Sequence, residues 1–246
     1  MAVDIAIIVP VFNEADNILV LAREVAAAMS GQPLGYELVF VDDASTDSTW
    51  ANIAEARKAD PRVRGLRHPR NSGQSAALWT GIQATSTTII ATLDGDLQNN
   101  PADLPRLLSE LARADFVSGK RVQRKDNFVR RSSSSIARWA RRAVLKVDFC
   151  DTGCALRTFK RSALRGVFPF NGFHRFLPIL VHGCGITALE IPVSHRPRVA
   201  GVSKYGVWNR LGRGVYDLLA IAWYQKRRLH PVEFKEMESS SSSRFP

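Results

Sequence analysis

The chain of 246 residues has no long apolar run and few cysteines. A membrane-spanning helix needs roughly 20 mostly apolar residues, and no such stretch occurs in the sequence. The N-terminal segment MAVDIAIIVPVFNE lacks the basic region of a signal peptide and enters a strand-like run at once. The three cysteines, Cys150, Cys154 and Cys184, do not suggest a disulfide framework. These absences predict an ordinary water-soluble domain in a reducing compartment.

Several catalytic signatures are absent as well. The five histidines form no H-E-x-x-H motif and there is no G-x-S-x-G motif, which disfavours zinc proteases and serine esterases. Neither G-x-G-x-x-G nor G-x-x-x-x-G-K-[ST] occurs. The sequence therefore supports neither a dinucleotide-binding fold nor a P-loop enzyme.

Positive charge, in contrast, is abundant. The formal net charge is +11, which suggests a polyanionic partner such as nucleic acid, a phosphorylated small molecule or an anionic membrane surface. The charge is unevenly spread, because residues 1–60 contain more acidic than basic side chains and the basic excess follows residue 119. This asymmetry suggests that the two halves of the chain have different functions.

The first half alternates between strand-like and helix-like segments. The predicted strands are DIAIIVPVF, YELVFVDD, VRGLRH, TTIIATLDGD and ADFVSGKR. Asn13 is a plausible N-cap of the first helix. The alternation predicts an α/β fold with a mostly parallel central sheet flanked by helices. We expect a single domain over residues 1–230, with a further strand in TALEIPVS, a C-terminal amphipathic helix at about 207–229 and a disordered tail at 231–246.

Carboxylates follow several of the predicted strands. In an open α/β sheet, ligands bind outside the carboxyl ends of the strands, so we expect Asp42, Asp43, Asp94 and Asp96 to gather at one edge. Asp94-Gly95-Asp96 with Gln98 offers hard oxygen ligands that suit Mg²⁺ or Mn²⁺. The alternative is a helix cap or a solvated turn. Asp42-Asp43 allows one carboxylate to face a ribose or a base while the other caps the next helix, or both to be turn residues.

Two basic segments suit phosphate oxygens. HRPRVAGVSKY places Arg196, Arg198 and Lys204 on a Gly/Pro-rich loop that could fold over a diphosphate, and SGKRVQRKDNFVRRSSSS contains Arg121 and Arg131 beside several hydroxyls. The alternative is a solvated, charged face. The spacing of Cys150 and Cys154 indicates core packing rather than a metal site.

These segments together resemble the family 2 glycosyltransferases with the GT-A nucleotide-sugar-binding fold. Within that family they are most similar to the polyprenyl-phosphate sugar synthases, typified by dolichyl-phosphate mannosyltransferase. The matching segments span roughly residues 5–205: IIVPVFNEADNI, LVFVDDASTDST, HPRNSGQSAALWTGI, TLDGDLQNNP, SGKRVQR, RRSSSS and EIPVSHRPRVAGVSKY.

The resemblance implies roles for individual residues. It implies that the nucleotide-sugar is bound by Pro10, Phe12, Glu14, Val41, Asp43, Asp94, Gly95, Asp96, Arg121, Arg198 and Lys204. It implies a metal held by Asp94, Asp96 and Gln98, and a lipid phosphate contacted by Arg121, Arg131 and Ser135. Asp94, Asp96, Arg121 and Arg131 would be the catalytic residues. Asp151 and the segment HRFLP at 174–178 also resemble the family but receive no role.

The implied activity is metal-dependent, inverting transfer of a hexose from a GDP- or UDP-linked sugar to a polyprenyl phosphate, with Mg²⁺ or Mn²⁺ as cofactor. A phosphate acceptor is already ionised near neutral pH, so no general base is needed.

The alternative acceptor is a hydroxyl of a glycolipid or polysaccharide, which would need a base; Asp151 is the candidate. A sugar nucleotidyltransferase would carry a glycine-rich basic loop near its N-terminus, and a nucleic-acid-binding module would not explain strands that end in carboxylates.

A lipid acceptor implies contact with a membrane. The segment VYDLLAIAWYQKRR combines apolar, aromatic and basic residues that suit an interfacial helix, although it also suits a helix packed on the core. We expect a cytoplasmic protein that associates peripherally with the cytoplasmic face of the membrane, either directly or through a separate integral membrane partner, and that does not bind nucleic acid.

Overall fold

The computed structural model describes residues 3–122, 142, 145, 147–197 and 207–227, with side chains in the last helix from residue 216 onward. The strands in this part of the chain are β1 (Ile5–Val11), β2 (Tyr36–Asp42), β3 (Val63–Arg67), β4 (Ile89–Thr92), β5 (Phe116–Arg121), β6 (Arg157–Lys160) and β7 (Ala188–Val193). The α-helices are α1 (Ala15–Met29), α2 (Thr49–Ala59), α3 (Gln74–Gln83), α4 (Leu104–Ser109), α5 (Leu177–Gly183) and α6 (Val207–Arg227).

All of these strands belong to one sheet, in the order β3-β2-β1-β4-β6-β5-β7. Strand β1 pairs in parallel with β2 and β4, β2 pairs in parallel with β3, and β5 pairs in parallel with β7. Strand β6 is antiparallel to both of its neighbours, β4 and β5. The predicted α/β class with a mostly parallel sheet is confirmed, and the antiparallel β6 was not predicted.

Hydrophobic side chains cover both faces of the sheet. Alternate residues of β1 point to opposite faces: Ile7 lies in a core cluster with residues of α1, while Ile8 lies in the second cluster with residues of α3. Burying each such side chain contributes about 1.5–3 kcal/mol. The buried β1 strand therefore anchors the loop that follows it.

The start of α1 differs from the prediction. The helix begins at Ala15, and the residue before it is Glu14, not Asn13. Asn13 has a left-handed backbone with φ of 55°, and its side-chain oxygen accepts a hydrogen bond from the Thr46 N–H at 2.9 Å. The predicted N-cap is therefore wrong, because this side chain ties β1 to the loop after β2 instead.

The C-terminal helix α6 has a buried and an exposed face. Ile221 is buried, whereas Tyr216, Leu219 and Trp223 are 75%, 61% and 65% exposed. Tyr224 donates a hydrogen bond to the Gly166 carbonyl at 2.8 Å, which fixes the helix to the domain. One face of this helix therefore packs on the core, and its role at a membrane interface stays a prediction. Among the described helices, none has the length and apolar character needed to cross a bilayer.

Candidate functional site

A cavity of about 280 Å³ lies at the carboxyl ends of β1, β2 and β4. It is lined by Pro10, Val11, Phe12, Glu14, Asp43, Asn71, Gly73, Gln74, Ala77, Asp94, Gly95 and Asp96. Seven of the residues predicted to bind a nucleotide-sugar are in this set. The structure therefore brings them together, as expected for parallel strands whose carboxyl ends meet at one edge.

The turn after β4 places two carboxylates in this cavity. Gly95 must be glycine, because a Cβ there would lie 2.6 Å from Cγ1 of Val11. The Gln74 side chain donates a hydrogen bond to Oδ1 of Asp94 at 2.8 Å. Asp96 accepts the backbone N–H of Gln98 at 3.2 Å. The close contact with β1 and these hydrogen bonds fix the conformation of the turn.

The oxygen ligands that this turn offers suit a hard divalent ion. Mg²⁺ and Mn²⁺ favour oxygen ligands, and Mg²⁺ commonly uses one or two carboxylates and completes its shell with water and substrate phosphates. Asp94 and Asp96 supply the carboxylates, and the half-buried Gln98 adds an amide oxygen in the same turn. Within the described part of the chain, no cluster of three or more His, Cys, Asp or Glu side chains could hold a metal ion, so an ion at this turn would take its remaining ligands from water and substrate phosphates.

Asp43 is held by a dense set of hydrogen bonds. Its Oδ1 accepts the Ser72 N–H at 2.8 Å and lies 2.7 Å from Nδ1 of His68, and its Oδ2 accepts the Gly73 N–H at 2.7 Å. Gly73 has φ of 89°, a left-handed conformation that favours glycine. The carboxylate therefore enters the cavity in one fixed orientation.

Asp42 has a different environment from its neighbour. Its side chain is fully buried, accepts the Ser45 N–H at 2.9 Å and pairs with Arg67 at 3.2 Å. The Thr49 N–H at the start of α2 bonds instead to Asp47 at 2.9 Å. The prediction that one of the two adjacent carboxylates caps this helix is therefore wrong, because Asp47 takes that role.

Arg121 is held by a carboxylate at the end of β5. Its Nε and Nη2 donate to the two oxygens of Asp151 at 2.6 and 2.7 Å. Burial alone would lower the pKa of Arg121, but the hydrogen bonds and charge of Asp151 outweigh it and hold that pKa above its usual value. Glu190 accepts the backbone N–H groups of Cys150 and Asp151 at 2.6 and 2.8 Å. The guanidinium is therefore fixed through a chain that begins on β7.

Other predicted residues lie away from the cavity or outside the described residues. Val41 is fully buried beneath the cavity, so its contact with a nucleotide stays a prediction. Arg196, predicted to lie over a diphosphate, instead pairs with Glu24 of α1 at 2.7 Å. Arg131, Ser135, Arg198 and Lys204 lie outside the described residues, and their roles stay predictions.

Sequence reasoning missed the loop before α3. Asn71, Gly73 and Gln74 line the cavity, and two of them bond to its carboxylates. In the sequence, NSGQ stands within the family-like segment HPRNSGQSAALWTGI, to which no ligand contact is assigned. The signal that could have found it is the Ser-Gly pair before a helix, which indicates a turn with free backbone N–H groups.

The fold resembles those of solved sugar-transferring enzymes. Glucosyl-3-phosphoglycerate synthase of Mycobacterium tuberculosis, solved with Mg²⁺ and uridine diphosphate, has a TM-score of 0.66 at 17% identity, over 91% of this chain and 79% of that one. A mannosyltransferase of Pyrobaculum calidifontis, solved with GDP-Man and Mn²⁺, has a TM-score of 0.66 at 20% identity, over 94% of this chain and 68% of that one. The class of fold is therefore that of the GT-A glycosyltransferases, as predicted.

The sequence model of glycosyl transferase family 2 matches residues 6–168, and the chain belongs to this family. Dodecaprenyl-phosphate galacturonate synthase of Rhizobium johnstonii is 38% identical over 242 residues, 95% of this chain and 70% of that protein. Undecaprenyl-phosphate 4-deoxy-4-formamido-L-arabinose transferase of Shewanella sediminis is 35% identical over 218 residues, 87% of this chain and 65% of that protein. The chain thus spans about two thirds of the length of these relatives. The predicted resemblance and the predicted enzyme class, a glycosyltransferase, are confirmed.

Proposed function

We propose that the protein transfers a hexose from a nucleoside diphosphate-sugar to a polyprenyl phosphate with inversion at the anomeric carbon. The observation that carries this proposal is the cavity where Asp43, Asp94 and Asp96 meet at one sheet edge, in a chain with a net charge of +11. The names of the two relatives support a polyprenyl phosphate acceptor, because both act on such lipids. They differ in the sugar, so the names leave the sugar open.

Within this proposal, the acidic residues serve the donor. Asp94, Asp96 and Gln98 would hold Mg²⁺ or Mn²⁺, and the bound ion would stabilise the negative charge that develops on the leaving diphosphate. Asp43 is oriented to accept hydrogen bonds from the base or ribose, and Pro10, Phe12 and Glu14 line the same cavity. A UDP- or GDP-linked sugar supplies the diphosphate that this arrangement requires.

The basic residues serve the phosphates of donor and acceptor. Arg121 is fixed at the end of β5, and we assign Arg131 and Ser135 to the acceptor phosphate and Arg198 and Lys204 to the donor. Arginine forks and lysine suit phosphate oxygens. The nucleophile is the ionised phosphate oxygen, which attacks the anomeric carbon while the bond to the diphosphate breaks.

The alternative, a hydroxyl acceptor, is less well supported. Its base would be Asp151, but Arg121 donates to both oxygens of that carboxylate. A carboxylate engaged in two charge-assisted hydrogen bonds is stabilised in its ionised form and is a poor proton acceptor. The fixed pair therefore favours an acceptor that needs no base.

We also propose that α6 rests on the membrane surface. Tyr216, Leu219 and Trp223 are exposed and follow one another at helical spacing, while Lys226 and Arg227 end the same helix. Aromatic and apolar side chains beside cationic groups are typical of interfacial helices on anionic membranes. This orientation would let a water-exposed domain reach a lipid phosphate at the cytoplasmic face, and recruitment by a separate integral membrane partner would serve the same purpose.

A panel of donors and acceptors tests the proposed function. UDP- and GDP-sugars are incubated with Mn²⁺ and either a polyprenyl phosphate, the matching polyprenol, or no lipid, and the lipid products are identified by mass spectrometry. We expect a sugar-phosphate-lipid product only with the polyprenyl phosphate. Turnover that requires the polyprenol or another hydroxyl acceptor would exclude the proposed acceptor.

A further inference from the structure

Asp43 lies at the end of the cavity that is farther from the proposed metal turn. The strands run in the order β2-β1-β4, and neighbouring strands lie about 4.8 Å apart, so the end of β2 is roughly 10 Å from the end of β4. A second cavity of about 340 Å³ shares Asp94 with the first. Its wall includes Arg157 and His174 but not Asp43. If Asp94 and Asp96 hold the diphosphate through an ion, the nucleoside extends toward Asp43.

His68 connects this carboxylate to helix α3. It directly follows β3, and its backbone N–H donates to the Asp42 carbonyl at 2.9 Å. Its ring lies between two polar side chains: Nδ1 is 2.7 Å from Oδ1 of Asp43, and Nε2 is 2.9 Å from Oγ1 of Thr80. Because an ionised carboxylate only accepts, Nδ1 donates to it, and in the neutral ring Nε2 accepts the hydroxyl proton of Thr80. The ring therefore ties Asp43 to the body of α3.

The hydrogen bonds of Asp43 leave one acceptor position open. An ionised carboxylate has about four lone-pair positions, two on each oxygen. Oδ1 uses both of its positions, for the Ser72 N–H and for His68. Oδ2 accepts the Gly73 N–H, and within the described part of the chain no second donor reaches it. Because Asp43 lines the first cavity, a ligand bound there can fill the open position on Oδ2.

The other histidine that contacts this helix has a different environment. Nδ1 of His174 lies 2.6 Å from the hydroxyl of Ser75, in the first turn of α3, and none of the described carboxylates bonds to its ring. Burial, together with the charges of Arg175 and Arg157, lowers the pKa of His174 to about 3, so this ring is neutral near pH 7. His68, in contrast, bonds directly to a carboxylate that lines the first cavity.

We propose that His68 is a positioning residue for nucleotide binding: it holds Asp43 so that the open position on Oδ2 accepts one hydrogen bond from the nucleoside. This inference rests on the proposed function and assigns a role to a residue outside the cavity lining. The partner on the nucleoside is a single O–H or N–H group, of the ribose or of the base. Without His68, the carboxylate loses its bond to α3 and is free to turn with the loop at Ser72 and Gly73, so the contact with the nucleoside weakens.

The first test separates the nucleoside from the diphosphate. Calorimetric titration compares UDP and GDP with inorganic pyrophosphate, each with Mn²⁺, on the unchanged protein and on His68→Phe, which keeps a ring. We expect His68→Phe to weaken binding of the tighter nucleotide by about tenfold, the size of a hydrogen bond to a charged group, and to leave the affinity for pyrophosphate unchanged. Equal weakening of nucleotide and pyrophosphate, or no weakening of either, overturns the inference.

Two further variants complete this comparison. His68→Asn keeps an N–H group near the position of Nδ1, so we expect it to restore most of the lost nucleotide affinity. His182→Phe is the matched control, because His182 is an exposed histidine on α5 and its replacement should change neither affinity. A loss in His68→Asn as large as in His68→Phe overturns the inference.

The second test asks whether His68 acts through Asp43. His68→Phe is combined with Asp43→Ala in a double-mutant cycle. We expect His68→Phe to cause no further loss of nucleotide affinity in the Asp43→Ala protein, because the contact that His68 supports is already absent there. Additive losses overturn the inference, since they would show that His68 supports the fold in general.

Nucleotide analogues that lack one donor identify the contacted group. The 2′-deoxy form, the 3′-deoxy form and the form methylated at the ring N–H of the base each lack one O–H or N–H group. We expect the unchanged protein to bind one of them about tenfold more weakly than the parent nucleotide, and His68→Phe to lose that preference. No preference in the unchanged protein, or an undiminished one in His68→Phe, overturns the inference.

Thr80→Val keeps the inference testable if His68→Phe does not fold. This substitution removes the hydroxyl that bonds to Nε2 of His68 and keeps the branched shape of the side chain. We expect it to weaken nucleotide binding by about threefold with pyrophosphate affinity unchanged, and full nucleotide affinity overturns the inference. If neither UDP nor GDP binds the unchanged protein, the proposed function is overturned and this inference with it.

Discussion

Residue scale: three consecutive residues orient two of the carboxylates in the proposed donor site. The backbone N–H groups of Ser72 and Gly73 bond to Asp43, and the side chain of Gln74 bonds to Asp94. Because these residues precede and begin α3, the position of one helix determines two carboxylates that come from different strands. Such fixed groups lose little freedom when a ligand binds, which favours catalysis by electrostatic stabilisation.

Asp96 is the residue with the clearest expected effect on activity. We expect Asp96→Ala to reduce the transfer rate at saturating Mn²⁺ by about a hundredfold or more, because the variant lacks one of two carboxylates for the ion that stabilises the leaving diphosphate. Steady-state kinetics measure this change, with Asp16→Ala, an exposed carboxylate on α1, as the control. Full activity of Asp96→Ala with a chelator present would contradict the metal role.

His174 should make the stability of the protein depend on pH. Its pKa is about 3 in the folded protein against an ordinary value of 6.5, so the unfolded chain binds more protons between these values. Stability is then full above about pH 6.5 and falls as the pH drops toward about 3. We expect the unfolding free energy to fall between about pH 7 and about pH 5.5 by about 1 kcal/mol more in the wild type than in His174→Asn.

Urea denaturation at the two pH values measures this difference. Asparagine keeps a side-chain acceptor that can face the Ser75 hydroxyl, so the variant removes the titrating group with little change in polarity. The same pH dependence in both proteins would show that His174 is not held neutral in the folded state.

Element scale: the elements that sequence patterns predicted are the ones with a clear local signal in the sequence. Strands β1, β2 and β4 are short apolar runs, and each of the first two is followed by a helix with periodic apolar residues. Strand β6 has the sequence RTFK, and helix α5 has seven residues. A strand that carries three polar residues and a helix of two turns leave weak periodic signals, so neither was predicted.

At the same scale, the exposed apolar face of helix α6 is expected to bind the membrane surface. We expect Leu219→Ser with Trp223→Ser to weaken binding to vesicles containing phosphatidylglycerol by about tenfold or more, because each buried side chain of this type contributes about 1.5–3 kcal/mol. Co-sedimentation with the vesicles measures the binding. The control is Val3→Ser, an exposed apolar residue outside α6. If the double variant binds vesicles as the wild type does, α6 is not the membrane contact.

Whole-molecule scale: the sequence predicts that the carboxylates after β2 and β4 meet, but it does not predict where β6 places Arg157. The parallel arrangement of β1, β2 and β4 places the ends of these strands together, so alternating elements suffice to predict that Asp43, Asp94 and Asp96 meet. Arg157 reaches the neighbouring cavity only because β6 runs antiparallel to β4, opposite Thr92. Nothing in the local pattern of CALRTFK indicates that direction, and the contacts that set it come from distant parts of the chain.

Charge is also organised across the whole molecule. Residues up to 96 supply the carboxylates of the first cavity, Glu14, Asp43, Asp94 and Asp96, and the proposed function assigns arginine and lysine side chains from residue 121 onward to the phosphates. The carboxylates alone would repel the phosphates of the substrates, and the cations alone would not hold a divalent ion. Both sets of side chains are therefore needed in one site. The net positive charge then favours approach to an anionic membrane.

The proposed function requires a divalent ion, held by Asp94 and Asp96, that binds the diphosphate of the donor. Calorimetric titration of uridine and guanosine diphosphates, with Mn²⁺ or with a chelator, tests it directly. We expect at least one of the two nucleotides to bind with an affinity about tenfold or more higher when Mn²⁺ is present, and this gain to be absent in Asp96→Ala. Equal affinity with Mn²⁺ and with the chelator, or an undiminished gain in Asp96→Ala, would contradict the account.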